Sequence, residues 1–158
     1  MRVLMVSDVY FPRVNGVSTS IETFRAGLAE QGVEIRLVVP RYGGEVDVPG
    51  VVRVDGRRVP ADPEDRIVGW RAMHRAVAEA AEACDLIHIQ TPFVAHYAGL
   101  AAARKLELPV LATYHTLFEE YLHHYVPIAP KRWLRATARH LSRRQCNALD
   151  GVVVPSTA

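Results

Sequence analysis

The residues of this chain best suited to chemistry stand where apolar runs end. His115, in Thr113-Tyr114-His115-Thr116, closes the run 108–114. A histidine there can donate a hydrogen bond to a hydroxyl or phosphate, or carry a proton. Asn15 and Gly16 follow the run Val3-Leu4-Met5-Val6 and open a helical pattern. A glycine lets backbone approach a ligand closely, and a helix behind it turns its positive dipole end toward an anion. A plain turn glycine is the alternative. The loop is neither G-x-G-x-x-G nor G-x-x-x-x-G-K, so dinucleotide-binding and P-loop chemistry lack their glycines and lysine. His88, inside the strand-like DLIHIQ, reads as a hydrogen-bonded core histidine. His123 and His124 beside Glu119 and Glu120 are metal-ligand types, but an exposed helical face is the simpler reading, and no metal site is expected. Cys84 and Cys146 have no metal-ligand spacing and read as reduced packing residues of a cytosolic protein.

A second candidate is a surface. Residues 131–148, KRWLRATARHLSRRQCNA, hold six lysines and arginines and no acid. Arg135, Arg139 and Arg143 are successive i,i+4 neighbours, each pair repelling by roughly 0.2–0.5 kcal/mol. Leu134, Ala138, Leu141 and Ala148 supply an apolar side, flanked by Trp133. Such a helix can lie on anionic lipid, or be a solvated face packed by its apolar side. No nucleic-acid motif accompanies the charge and the pI of about 8.7 is modest, so nucleic acid is not an expected partner.

The elements that must position these residues alternate. Val3–Val6 is too continuously apolar for a strand with one wet face and suits a parallel strand covered on both sides. A helix follows, with Val17, Ile21, Phe24 and Leu28 on one face, Thr19 and Glu22 at capping-box spacing, and Gly32 at its stop. Residues 34–39 form a second strand closed by Pro40. Arg41 to Asp65 reads as a meandering, partly mobile connection with one edge strand at 51–54. Ile67, Trp70, Met73, Val77 and Ala81 are spaced for the buried face of a helix over 67–83. Strands at 85–90, 108–114 and 151–155 and helices at 94–106, 117–125 and 131–148 complete the pattern. About six strands alternating with helices, without a tight hairpin signal, predict an α/β fold: a doubly wound, mostly parallel, Rossmann-like sheet with helices on both faces. Ligands bind such sheets outside the carboxyl ends of the strands.

The chain's 158 residues are enough for one domain with a real core, and its 49% apolar and 23% charged composition is that of a globular protein. No apolar run approaches the length of a membrane span, and the four apolar residues after Arg2 are far short of a signal-peptide core. The expected location is cytoplasmic, at the inner face of the membrane if the basic helix docks there.

With Ser7-Asp8-Val9-Tyr10-Phe11-Pro12, Asn15-Gly16-Val17-Ser18, Gln90-Thr91-Pro92-Phe93 with His96, Thr113-Tyr114-His115-Thr116 and Val154-Pro155-Ser156 in this order, the chain resembles the N-terminal domain of a GT-B-fold, family 4 retaining glycosyltransferase. The resemblance runs from residue 1 to 158 and is strongest to members that place glucose or mannose on lipid, phosphoinositol or polysaccharide. It implies a two-domain enzyme without essential metal, whose donor is a UDP-, GDP- or ADP-sugar held mostly by a C-terminal domain not contained in this chain. It implies that Asn15 and Gly16 approach the donor diphosphate, that His115 lies at the reaction centre, and that Asp8, Tyr10, Thr91, Phe93 and Thr116 line the acceptor side. It also implies that this domain alone does not turn over. The alternatives are a stand-alone, non-catalytic sugar- or phosphate-binding module, and another nucleotide-dependent doubly wound enzyme such as an epimerase or dehydrogenase. The last is disfavoured by the missing glycine fingerprint and by the lack of an acid ending the second strand.

Overall fold

The computed structural model describes residues 1–59, 62–115 and 131–154, with backbone only at 63 and 131–135. In chain order these residues form β1 (Arg2–Val6), α1 (Gly16–Glu30), β2 (Glu34–Arg41), β3 (Val51–Val59), β4 (Asp62–Val68), α2 (Trp70–Ala81), β5 (Leu86–Ile89), α3 (Val94–Leu106), β6 (Val110–Thr113), α4 (Lys131–Cys146) and β7 (Gly151–Val153). The strands build one sheet in the order β4-β3-β2-β1-β5-β6-β7. All neighbours run parallel except the β3–β4 pair.

Both faces of the central strands are covered, which is why Val3 to Val6 are all buried. Leu4, Val6, Val38, Ile87 and Ile89 pack with Met73 and Val77 of α2 and with the alanines of α3. Val3, Met5, Leu37 and Val39 face Ile21 of α1, with Phe24 and Leu28 alongside. The cap of α1 lies one turn earlier than the Thr19/Glu22 spacing suggests. Asn15 accepts from the Ser18 N–H and donates its own N–H to Ser18 Oγ, each at 2.9 Å. Gly32, in the left-handed region at φ +74°, ends that segment as expected.

The stretch from Arg41 to Asp65 departs most from expectation. It is not a meander with one short strand: β3 and β4 form an antiparallel hairpin, with Gly56 opposite Val68 and Arg58 opposite Arg66. Its charge hid it. An edge hairpin carries polar residues that discourage further pairing, and those residues have low strand propensity. Accordingly α2 begins at Trp70, not at residue 67. Ile67 lies in β4 at 58% exposure and Trp70 is 52% exposed, so the buried face of α2 is Met73, Val77 and Ala81.

Helix α3 approaches the sheet closely because it is built from small residues. A Cβ on Gly99 would lie 2.8 Å from Ile89 Cγ1 and 3.1 Å from its Cδ1. Gly99→Ala should therefore cost about 1–3 kcal/mol by overpacking. Gly27→Ala, where a Cβ meets nothing within 4 Å, should stabilise α1 by up to about 1 kcal/mol. Urea unfolding of the two variants checks this contrast, and equal effects would contradict the packing described.

Candidate functional site at the strand-order reversal

From β1 the chain winds outward through β2 and β3, then crosses back to start β5 on the other side of β1. The crevice of such a sheet lies above that reversal, at the carboxyl ends of β1 and β5. Asp8, just past β1, has its backbone N–H bonded to Thr91 Oγ1 at 2.8 Å. The Thr91 hydroxyl donates back to Asp8 Oδ2 at 2.7 Å. The same carboxylate accepts the Ala95 N–H at 3.1 Å. Phe93, at the N-cap position of α3, provides no side-chain cap, so Asp8 caps α3 from 87 residues away. Burial pushes the Asp8 carboxyl up to about 6, outweighing the hydrogen bonds from Thr91 and the α3 backbone that pull it down.

One strand over, two polar pairs lie on the α1 side of the sheet. His88 Nε2 meets Thr113 Oγ1 at 2.7 Å, and the His88 ring stands edge-on to Phe24 of α1. Burial, helped by the nearby His115, pushes His88 down to about 4. His115 Nε2 meets Gln90 Oε1 at 3.0 Å, and burial lowers the His115 pKa as well. Both imidazoles are therefore neutral at neutral pH. Thr91 is the next residue after Gln90, so a single peptide joins the Asp8–Thr91 pair to the Gln90–His115 pair.

The loop that delivers Asn15 and Gly16 is held from the hairpin side. Arg53 Nη1 of β3 donates to Phe11 O at 2.7 Å and Pro40 O at 3.0 Å, and its guanidinium lies 5.1 Å from the Tyr10 ring centroid. Arg13 is surrounded by Asp62, Glu64 and Asp65 of β4. Gly16 is exposed and is the first residue of α1; a Cβ there would meet nothing within 4 Å, and its φ is not in the left-handed region. Neither packing nor backbone conformation within this chain requires glycine at that position.

The structure thus brings Asp8 together with Thr91, and His115 to Gln90, all at the rim. Phe93 is 50% exposed beside them. Tyr10 is not part of this group. It is 4% exposed, and its hydroxyl bonds Glu22 and accepts from Arg25 Nη1 at 3.1 Å. Thr116 lies outside the described residues, as do His123, His124, Pro155, Ser156 and the 117–125 segment. Gln90 is not among the site residues read from the sequence, because a polar residue ending the run LIHI looks like any strand-ending polar residue until its bond to His115 is seen. The hairpin acids that hold Arg13 gave no such signal. Among the described residues no three metal-ligating side chains come together, and no helix is long and apolar enough to cross a membrane. Cys84 is buried and Cys146 half-buried, and both are free thiols.

On α4, Arg139 and Arg143 are exposed, while the Arg135 side chain is outside the described set. The apolar side expected for this helix is only partly right. Ala138 and Gln145 are buried, but Leu141 is 41% exposed. Arg104, His140, Arg143 and Arg144 line one open cleft between α3 and α4.

A doubly wound sheet with its polar groups gathered at the order reversal defines the Rossmann-like class, here in the form used by GT-B glycosyltransferases. Residues 14–158 match the family description Glycosyltransferase Family 4, and the chain belongs to that family as its N-terminal, GT-B-type domain. It is 34% identical over 162 residues to an alpha-monoglucosyldiacylglycerol synthase of Streptococcus pneumoniae, covering 99% of this chain and 35% of that protein. It is 30% identical over 169 residues to a GDP-mannose-dependent alpha-mannosyltransferase of Mycobacterium tuberculosis, covering 100% and 42%. The chain therefore spans about a third to two fifths of the length of these relatives. Among solved structures it resembles an alpha-glucosyltransferase in complex with UDP and a 13-mer DNA (TM-score 0.52, 13% identity, 99% of this chain and 36% of that one). It also resembles a UDP-GlcNAc 2-epimerase of Methanocaldococcus jannaschii (TM-score 0.55, 11% identity, 99% and 40%). At these identities the likeness concerns the fold alone.

Because the folded state raises the Asp8 pKa, it favours the protonated form. The stability this contributes is greatest below about pH 4 and is lost as pH rises through about 6. Asp8→Asn keeps an acceptor for Ala95 and Thr91 without the charge. It should raise stability near pH 7.5 by up to roughly 3 kcal/mol, with the gain shrinking toward pH 4. Urea midpoints at the two pH values measure it. A destabilised Asn variant near pH 7.5 would mean that α3 needs the charge itself.

Proposed function

We propose that the polypeptide carrying this domain transfers a hexose, glucose or mannose, from a UDP-, GDP- or ADP-sugar to a lipid, phosphoinositol or saccharide acceptor with retention of configuration. The observation that carries this reading is the 34% identity, along 99% of this chain, to a protein named for glucosyl transfer to diacylglycerol. The mannosyltransferase relative widens the sugar to mannose.

In this reading the domain supplies the acceptor half of the site. His115, neutral and held at the rim, contacts the reacting sugar or acceptor hydroxyl. Asn15 and Gly16 receive the donor diphosphate: the free N–H groups and positive dipole end of α1 attract it, and a glycine without an intramolecular reason leaves room for it. The diphosphate charge is stabilised by such backbone groups and by basic side chains, without an essential metal. Asp8 and Thr91 serve the acceptor side by fixing the start of α3, where Phe93 is presented; Thr116, outside the described residues, is proposed as a further acceptor contact. Tyr10 serves it through the loop that it anchors. The nucleotide and most of the donor sugar belong to a second, C-terminal domain, so this domain alone does not turn over.

The exposed Arg139 and Arg143, one turn apart on the same face of α4, favour a second element of the reading. The basic helix, with Arg135, rests on an anionic membrane surface that holds a lipid acceptor.

To test the reaction, the polypeptide containing this domain is incubated with UDP-glucose, GDP-mannose or ADP-glucose and vesicles of diacylglycerol or phosphatidylinositol. The glycolipid is then assigned by mass spectrometry and its anomer by proton NMR. An α-linked hexosyl product, lost by at least roughly 100-fold in His115→Ala, is expected. A β-linked product would refute retention, and turnover by residues 1–158 alone would refute the division of labour. Gly16→Val should weaken nucleotide-sugar binding at least about tenfold while leaving thermal stability nearly unchanged. For the membrane element, Arg139→Glu with Arg143→Glu should abolish sedimentation with phosphatidylglycerol vesicles at low salt, and unchanged sedimentation would remove it.

A further inference from the structure

Gln90 is 1% exposed at the carboxyl end of β5, directly after Ile87, His88 and Ile89. A residue whose only task was packing would be apolar there. A buried carboxamide must satisfy one carbonyl oxygen and two N–H donors, and each group left unpaired costs on the order of 1–3 kcal/mol. Gln90 meets only the oxygen's share of this requirement. Its Oε1 lies 3.0 Å from His115 Nε2, and its Nε2 is buried without a hydrogen-bond partner among the described residues. Among the described residues the amide nitrogen is left unpaired while the amide oxygen keeps its contact to His115.

The geometry repeats a pattern one step deeper in the sheet. His88, opposite Leu111 in the β5–β6 register, reaches two residues further along β6 to Thr113. Gln90, two residues after His88, reaches His115, two residues after Thr113. Both bonds span 25 positions and run along the same diagonal. The deeper rung is internal, linking two buried side chains. The outer rung ends on a histidine past the end of its strand, at the rim where the crevice lies.

We infer that Gln90 is the positioning residue of His115: its carbonyl oxygen accepts a hydrogen bond from Nε2–H, fixes the ring, and leaves Nδ1 as the lone-pair nitrogen offered to the ligand. Neutral imidazole carries one proton, so the nitrogen that Gln90 holds decides what the other can do. An Nδ1 lone pair accepts a hydrogen bond from a sugar or acceptor hydroxyl; an Nδ1–H would donate one. This assignment deepens the hexosyl-transfer reading and rests on it for the identity of the ligand, but the tautomer itself can be observed without any substrate.

The test is long-range proton–nitrogen NMR of the 15N-histidine-labelled protein at neutral pH. Wild type should show His115 as a single Nε2–H tautomer, and Gln90→Leu should show the two tautomers mixed. Gln90→Glu places a carboxylate on the same ring nitrogen and should raise the His115 titration midpoint by about one unit or more. It should also retain the Nε2–H form, which guards against a Leu variant that fails to fold. An Nδ1–H tautomer in wild type, or an unchanged ring in both variants, would overturn the inference. In the transfer assay Gln90→Leu should lower kcat about 10–100-fold with little change in donor KM. If the tautomers behave as stated and wild type transfers no hexose, the functional reading fails and the positioning role stands. If wild type transfers and Gln90→Leu matches it, the positioning role fails alone.

Discussion

The carboxylate of Asp8 ties together the three parts that meet at the order reversal. It follows β1, bonds the hydroxyl that follows β5, and caps the helix that follows that hydroxyl. The two sides of the sheet are joined by the β1–β5 ladder and by the core that α2 and α3 share with those strands. A short polar bridge at the carboxyl ends fixes the spacing of the crevice where backbone pairing stops. That bridge places a charge in a poorly solvated position, and its raised pKa is the sign of that cost.

The rest of the site is arranged around that bridge with neutral groups. His88 and His115 are both kept uncharged by burial, and each holds one side-chain partner. In the proposed reading, a neutral histidine orients hydroxyls without adding a cation next to a diphosphate. In that reading the positive contribution to such an anion falls to backbone N–H groups at the start of α1, whose position is set by the Asn15–Ser18 box and by Arg53 and Arg13 gripping the preceding loop. The charged edge hairpin is thus an outer brace for a loop at the centre of the fold.

The parallel core was legible in the sequence because hydrophobicity dictates it. Val3–Val6 and the apolar parts of 34–39 and LIHI suit covered parallel strands, and Met73, Val77 and Ala81 recur at helical spacing, as do Ile67 and Trp70, which lie outside the buried face. The hairpin was not legible, since β3 and β4 owe their pairing to an edge position that favours charge over strand propensity. Of the site, His115 and Gly16 could be found by their place after strands. Gln90 could not be separated from an ordinary strand-ending polar residue, because its significance lies in a bond to a residue 25 positions away. The capping role of Asp8 was invisible for the same reason, being a contact across 87 residues. Local chemistry can be read from local sequence, and long-range hydrogen bonds need the fold.

The most direct measurement is a backbone amide NMR titration of the 15N-labelled protein with UDP-glucose and with GDP-mannose. Shifts for one of these donors should concentrate at Asn15, Gly16, Gln90, Thr91 and His115, at the carboxyl ends of β1, β5 and β6. Shifts confined to the Arg104–Arg143 cleft, or scattered without focus at saturating sugar nucleotide, would contradict the claim that the order reversal is the binding site.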